Sequence, residues 1–146
     1  MDKKMKLGIY NFIKEVNANL GIKFQEYDLE CDIYDEIIYV GATFDKQVDK
    51  YFQEFVEQLE PKCKNINPFL LSILHEIGHI ETWTEEDSEE KHFLYNMLQI
   101  NYKDKDIKEY NNMYFRIPLE INATLWGIDY ALSHLDLMQK YNWLHN

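Results

Sequence analysis

Asn67-Pro68-Phe69-Leu70-Leu71-Ser72-Ile73-Leu74-His75-Glu76-Ile77-Gly78-His79-Ile80 is the stretch on which the fold turns. Asn67 can accept a hydrogen bond from the first N–H groups of a helix, and Pro68, with its φ fixed and no N–H to satisfy, fits the first turn. Leu70, Ile73, Leu74, Ile77 and Ile80 recur at spacings of three and four, so the helix has an apolar side to bury. His75 and His79 stand one turn apart and about 40° round the axis, which lets both imidazoles reach one metal ion. Glu76 sits about 100° from His75, where its carboxylate can flank the ion and take a proton from water without being a ligand. The competing reading is two satisfied core histidines beside a solvated glutamate.

A catalytic zinc needs a third protein ligand and an open fourth position. His92, His134 and several acids compete, and Glu120 has the strongest local case. It follows Pro118 in the first turn of another expected helix, and Ala123, Gly127 and Ala131 lie down the helix from it, so a second helix can approach closely. The complementary stripe Ile121, Leu125, Ile128, Leu132 and Leu135 is left to pack elsewhere in the core. A solvated glutamate, favoured near a helix N-terminus for its charge alone, is the alternative.

His75-Glu76-Ile77-Gly78-His79 followed by Glu120-Ile121-Asn122-Ala123 resembles the H-E-x-x-H and E-x-x-A elements of small gluzincin-type zinc metallopeptidases, the ImmA/IrrE-like and minigluzincin groups. The resemblance covers roughly residues 68–141. It implies an active-site helix with both His ligands, a Glu ligand from a later helix, and a short sheet whose edge strand binds substrate. Where ImmA/IrrE-like chains commonly carry Asn after that Ala, Thr124 stands here, on nearly the same face as Glu120 and able to bond a ligand. The expected activity is zinc-dependent peptide hydrolysis. His75, His79 and Glu120 hold Zn2+, a water is activated at neutral pH, and Glu76 takes its proton and passes it to the leaving amine. Tyr110, Tyr114 and Tyr130 are candidates for stabilising the oxyanion, Tyr114 by its place just before the ligand helix.

Working outward, Lys4 to Leu20 has helical apolar spacing, with Gly21 as its stop. Ile22 to Leu29 and Glu36 to Phe44 switch to strand character and, across a polar turn from Glu30 to Asp35, are expected to pair as a hairpin. Ile37 to Phe44 is a candidate for the substrate-aligning edge or, equally, for a buried strand. Asp45 is the expected N-cap of a helix that Pro61 ends, followed by a loop at Lys62 to Asn67. The acidic run Thr84 to Glu90 reads as a capped helix start with carboxylates at its positive end. That helix should reach Tyr102, with a charged loop at Lys103 to Lys108 and a long last helix from Pro118 to about Tyr141.

These elements make one mostly helical α+β domain over residues 1–146, zincin-like, with a small sheet beside the H-E-x-x-H helix. A chain of 146 residues with 46% hydrophobic side chains can bury one ordinary core. Its formal net charge of −11 argues against direct contact with nucleic-acid phosphates or an anionic membrane. No apolar run approaches the ~20 residues of a membrane span. The basic N-terminal residues lead into an amphipathic pattern rather than an export signal. Cys31 and Cys63, without CxxC spacing, read as reduced structural thiols, and the expected location is cytoplasmic. The expected partner is a protein or peptide substrate. The alternative from another class is a non-catalytic metal-binding regulatory protein on the same scaffold, against which the intact Glu76 argues.

Overall fold

The computed structural model describes residues 1–43, 46–102 and 106–144. Among these, three strands and seven α-helices form a mostly helical α+β fold. Helix α1 (Lys3–Val16) starts where the Asp2 carboxylate accepts from the Met5 N–H at 2.8 Å, and it buries Ile9, Phe12 and Ile13. It ends before Leu20 because Asn17 leaves helical geometry and its side-chain oxygen takes the Asn19 N–H, a local bond that competes with another helical turn. Gly21, expected as the stop, instead opens β1, its N–H donating to the Glu36 carbonyl.

The sheet corrects the expected hairpin. Strands β1 (Gly21–Tyr27) and β3 (Ile37–Thr43) run parallel, and β2 (Leu29–Asp32), drawn from what reads as a polar turn, pairs antiparallel with β3 on its other side. The order is β1-β3-β2, so β3 is central and is not the sheet edge. To pass from β1 to β2 the chain crosses over β3 at Gly41. A Cβ on Gly41 would lie 2.3 Å from the Asp28 carbonyl oxygen, and Asp28 itself turns with φ 61°. The hairpin that does form joins β2 to β3, and its turn is held by the Asp32 carboxylate accepting from the Tyr34 and Asp35 N–H groups.

Helix α2 (Lys46–Leu59) packs Phe52, Phe55 and Val56 inward and gives way to a 3-10 turn over Pro61–Asn65 that buries Cys63. The expected Asp45 cap lies outside the described residues. Helix α3 (Pro68–Thr82) starts as its sequence requires, with the Asn67 side chain accepting from the Phe69 N–H at 2.9 Å. The Asn67 amide also donates to the carbonyls of Asn142 and Leu144, tying the C-terminal segment to this helix start.

Helix α4 (Glu85–Tyr102) is followed by α5 (Ile107–Tyr114), which begins inside the segment expected as a charged loop because Asp106 caps it through the Lys108 N–H. The expected last helix is broken into α6 (Pro118–Ser133) and α7 (Leu135–Lys140). His134 causes the break. Its ring stacks on Tyr130 and its Nδ1–H donates to the Tyr130 carbonyl, while the backbone leaves helical geometry at φ −133°. The turn sends Met138, Tyr141 and Leu144 into the main core, where Tyr141 meets Phe12 edge-on. A second, smaller cluster joins Leu98 of α4 to Ile117 and Leu119. No helix among the described residues is long and apolar enough to cross a membrane.

Candidate metal centre

Helices α3 and α6 cross in close contact because their facing residues are small. A Cβ on Gly78 would fall 2.4 Å from the Ala123 carbonyl oxygen, and one on Gly127 would meet Leu74 at 3.3 Å. The stripe Ala123, Gly127, Ala131 expected to admit a second helix is the one α3 lies against. At the head of this contact His75, His79 and Glu120 are all buried, and one ligand atom of each lies within 4.8 Å of the others. Glu120 Oε2 is 3.0 Å from His75 Nε2 and 2.8 Å from His79 Nε2.

Thr124 decides how His75 is protonated. Its hydroxyl donates to the Glu120 carbonyl at 2.9 Å, so it can only accept from His75, whose Nδ1 is 2.9 Å away. The neutral ring then carries its proton on Nδ1 and turns the Nε2 lone pair toward the carboxylate oxygen. Two lone pairs facing each other in a buried site call for a cation between them, either a proton, which makes the pair a hydrogen bond, or a metal ion. Two imidazoles and a carboxylate are a donor set that fits zinc and other divalent transition ions.

Burial alone would raise the Glu120 carboxyl, but hydrogen bonds and attraction from His75 and His79 hold it well below the usual carboxylate range. His79 shows the reverse balance: burial lowers it, and the hydrogen bond and charge of Glu120 raise it above its ordinary value. Glu120 thereby favours the protonated form of His79, and a metal ion would compete with that proton.

Glu76 is partly buried beside the two histidines. Burial raises its carboxyl, and His75 and His79 pull it back in part. The Cys31 thiol of β2 hydrogen-bonds Glu76, and burial followed by the charge of Glu76 pushes that thiol far above its ordinary range, so it stays protonated and donates. The other carboxylate oxygen of Glu120 accepts from the Tyr95 hydroxyl at 2.7 Å, and the Tyr114 hydroxyl is within hydrogen-bond reach of both groups. Burial, then the Glu120 charge, raises both phenols. Phe52 closes another side, edge-on to His75 at 5.2 Å between centroids.

The remaining sequence candidates lie elsewhere. His92 is exposed on α4, and His134 is exposed at the break after α6. Tyr130 stacks between Trp126 and His134, and Tyr110 stacks on Tyr114 and accepts from Gln99. Tyr114, weighed as an oxyanion donor, is turned to Glu120. Tyr95 and Cys31 were not singled out from sequence. No short-range pattern marks them, since each reaches the site from an element paired with it only in three dimensions. In comparisons with protein-family models, with curated proteins and with solved structures, nothing matches the chain.

Proposed function

We propose that the chain is a zinc-dependent metallopeptidase with a zincin-like fold, acting on a protein or peptide substrate. The observation that carries this reading is the convergence of three buried donors, His75, His79 and Glu120, next to a fourth side chain, the acid Glu76, that is not among them. A purely structural metal site needs no adjacent base. The likeness of the H-E-x-x-H and E-x-x-A elements to those of small gluzincins supports the same reading.

His75, His79 and Glu120 would hold the ion, which when bound supplies Lewis-acid polarisation of a carbonyl and a lowered pKa for water. The protein's own side chains do the rest. Glu76, whose raised carboxyl binds a proton more readily than an exposed glutamate, takes the proton of the attacking water and delivers it to the leaving amine. The Cys31 S–H orients that carboxylate, Thr124 fixes the His75 tautomer, and Tyr95 holds Glu120. Strand β2, a sheet edge packed along α3, takes over from β3 as the segment to align an extended substrate by main-chain hydrogen bonds. Unpaired thiols at Cys31 and Cys63 suit a reducing compartment such as the cytoplasm.

The test begins with metal content. Wild-type protein should carry or take up about one zinc per chain, and His75→Ala and Glu120→Ala should lose it. Glu76→Gln should keep the zinc and lose at least about 100-fold of the cleavage seen in an unbiased peptide library. Zinc bound without any cleavage, with Glu76→Gln indistinguishable from wild type in every binding assay, would replace this reading by a non-catalytic metal-binding scaffold. No zinc uptake at all would end both.

A further inference from the structure

Helix α4 is apolar on two sides. Leu94, Tyr95 and Leu98 turn inward onto Ile117, Leu119, Tyr110 and Met113. Phe93, Met97 and Ile100, spaced four and three apart, form a second stripe that is 64%, 41% and 71% exposed. Helical packing onto α5 and α6 accounts for the first face and not for the second.

The outer stripe does not end in neutral surface. Glu86, Glu89 and Glu90, all exposed, continue it toward the N-terminus of α4, and by helical geometry each points within about 60° of the direction of Phe93. One face of a single helix therefore presents an acidic half and an apolar half in line. The chain as a whole carries −11.

We propose that this outer face of α4 is a docking surface for a basic amphipathic helix of a partner protein. Charge selects the occupant. A second copy of this chain would bring the same acidic cluster and another −11, and an anionic lipid surface would be repelled. A segment with lysines or arginines at one end meets the glutamates, and apolar residues at helical spacing continue onto Phe93, Met97 and Ile100. The ridges formed by residues three and four apart on α4 are the relief into which a second helix packs. This surface faces away from Tyr95 and the metal centre, so the inference stands independently of the peptidase reading.

The experiment uses the full chain and a fluorescein-labelled helical peptide with three leucines at helical spacing and a lysine-rich end, read by fluorescence anisotropy. Two controls accompany it, one with the same residues shuffled to break the stripe and one with glutamate in place of lysine. The first peptide should bind and the controls should not. Phe93→Ser with Ile100→Ser should weaken binding at least about tenfold. Glu86→Gln with Glu89→Gln and Glu90→Gln should also weaken it and flatten its salt dependence. All substituted side chains are exposed, and circular dichroism checks that both variants keep the fold. Absence of binding, equal binding of the shuffled peptide, or indifference to the Phe93/Ile100 variant would overturn the proposal. So would a wild-type dimer in sedimentation that Ile100→Ser dissociates, which would make a second copy the occupant.

Discussion

Helix α3 buries nearly every residue from Phe69 to His79 and meets α6 through Gly78, Ala123 and Gly127, with no intervening side chain to yield. Among its described side chains, helix α4 places only Leu98 inside, in a cluster with just two other buried residues, and its outer stripe is exposed. Both helices reach Glu120, α3 through two imidazoles and α4 through one phenol. The contrast teaches where precision in the site originates. The donor atoms that would have to meet on one ion sit on the pair of helices whose backbones fix each other. The adjusting hydroxyl sits on a layer held by a much smaller cluster.

The sharpest way to break the α3–α6 contact is Gly78→Ala. The added methyl would need to lie 2.4 Å from a backbone oxygen, which neither helix can rotate away from, so the axes must separate. Overpacking of this kind costs about 2–3 kcal/mol, and here it also pulls the imidazoles from Glu120. Chemical denaturation should show the loss of stability and equilibrium dialysis a loss of zinc. If α4 and its tyrosine set the site instead, zinc affinity should survive.

A finer cut within the same pair is Thr124→Val, which keeps shape and removes the oxygen. The buried His75 Nδ1–H then loses its acceptor and the tautomer that points Nε2 at the ligand position is no longer enforced. Zinc affinity should fall about 10–100-fold, as is typical when the group that orients a histidine ligand is removed. Thr124→Ser should restore most of it, and a competition titration with a chromophoric chelator measures both.

Acidity distinguishes the metal-free pair from the metal-loaded one. His79 has a folded-state pKa above its unfolded value, so its contribution is fully present below about 6.5 and is lost as pH rises through the raised value. Glu120 is depressed, so its contribution is present above about 4.5 and lost as pH falls through its own low value. In chelator, urea unfolding should show stability declining as pH rises above about 6.5, by no more than about 1.4 kcal/mol per pH unit for one proton. With zinc that decline should disappear, because the loaded protein carries no proton on His79 and the ion's gain as the proton leaves cancels the loss.

The site was legible where it is local. The spacing of His75, Glu76 and His79 and the Asn67-Pro68 start are short-range features, and the residues that follow Glu120 were small enough to announce a close neighbour. The sheet was not legible, because the crossing of β3 depends on Gly41 lying under residues 27–28, and nothing near either segment specifies the other. The break at His134 was hidden for a related reason. Apolar spacing runs through it, and only the stacked ring and its bond to the Tyr130 carbonyl end the helix. Tyr95 and Cys31 reach the site across contacts that no periodicity encodes.

The gentlest test falls on the α4 side. Tyr95→Phe removes one hydroxyl and keeps the ring among Leu94, Leu98 and Tyr114, so global unfolding should be unchanged within about 0.5 kcal/mol. Glu120 Oε1 loses a hydrogen bond of 2.7 Å, but the Tyr114 hydroxyl is close enough to replace part of it. Zinc affinity should therefore drop by less than about tenfold, below the lower end of what Thr124→Val removes. Adding Tyr114→Phe should then exceed the sum of the two single effects, because only the double variant leaves that buried oxygen without a phenol donor. Strict additivity would mean that the two tyrosines act on Glu120 separately, and that the α4–α5 layer contributes packing and not a shared hydrogen bond.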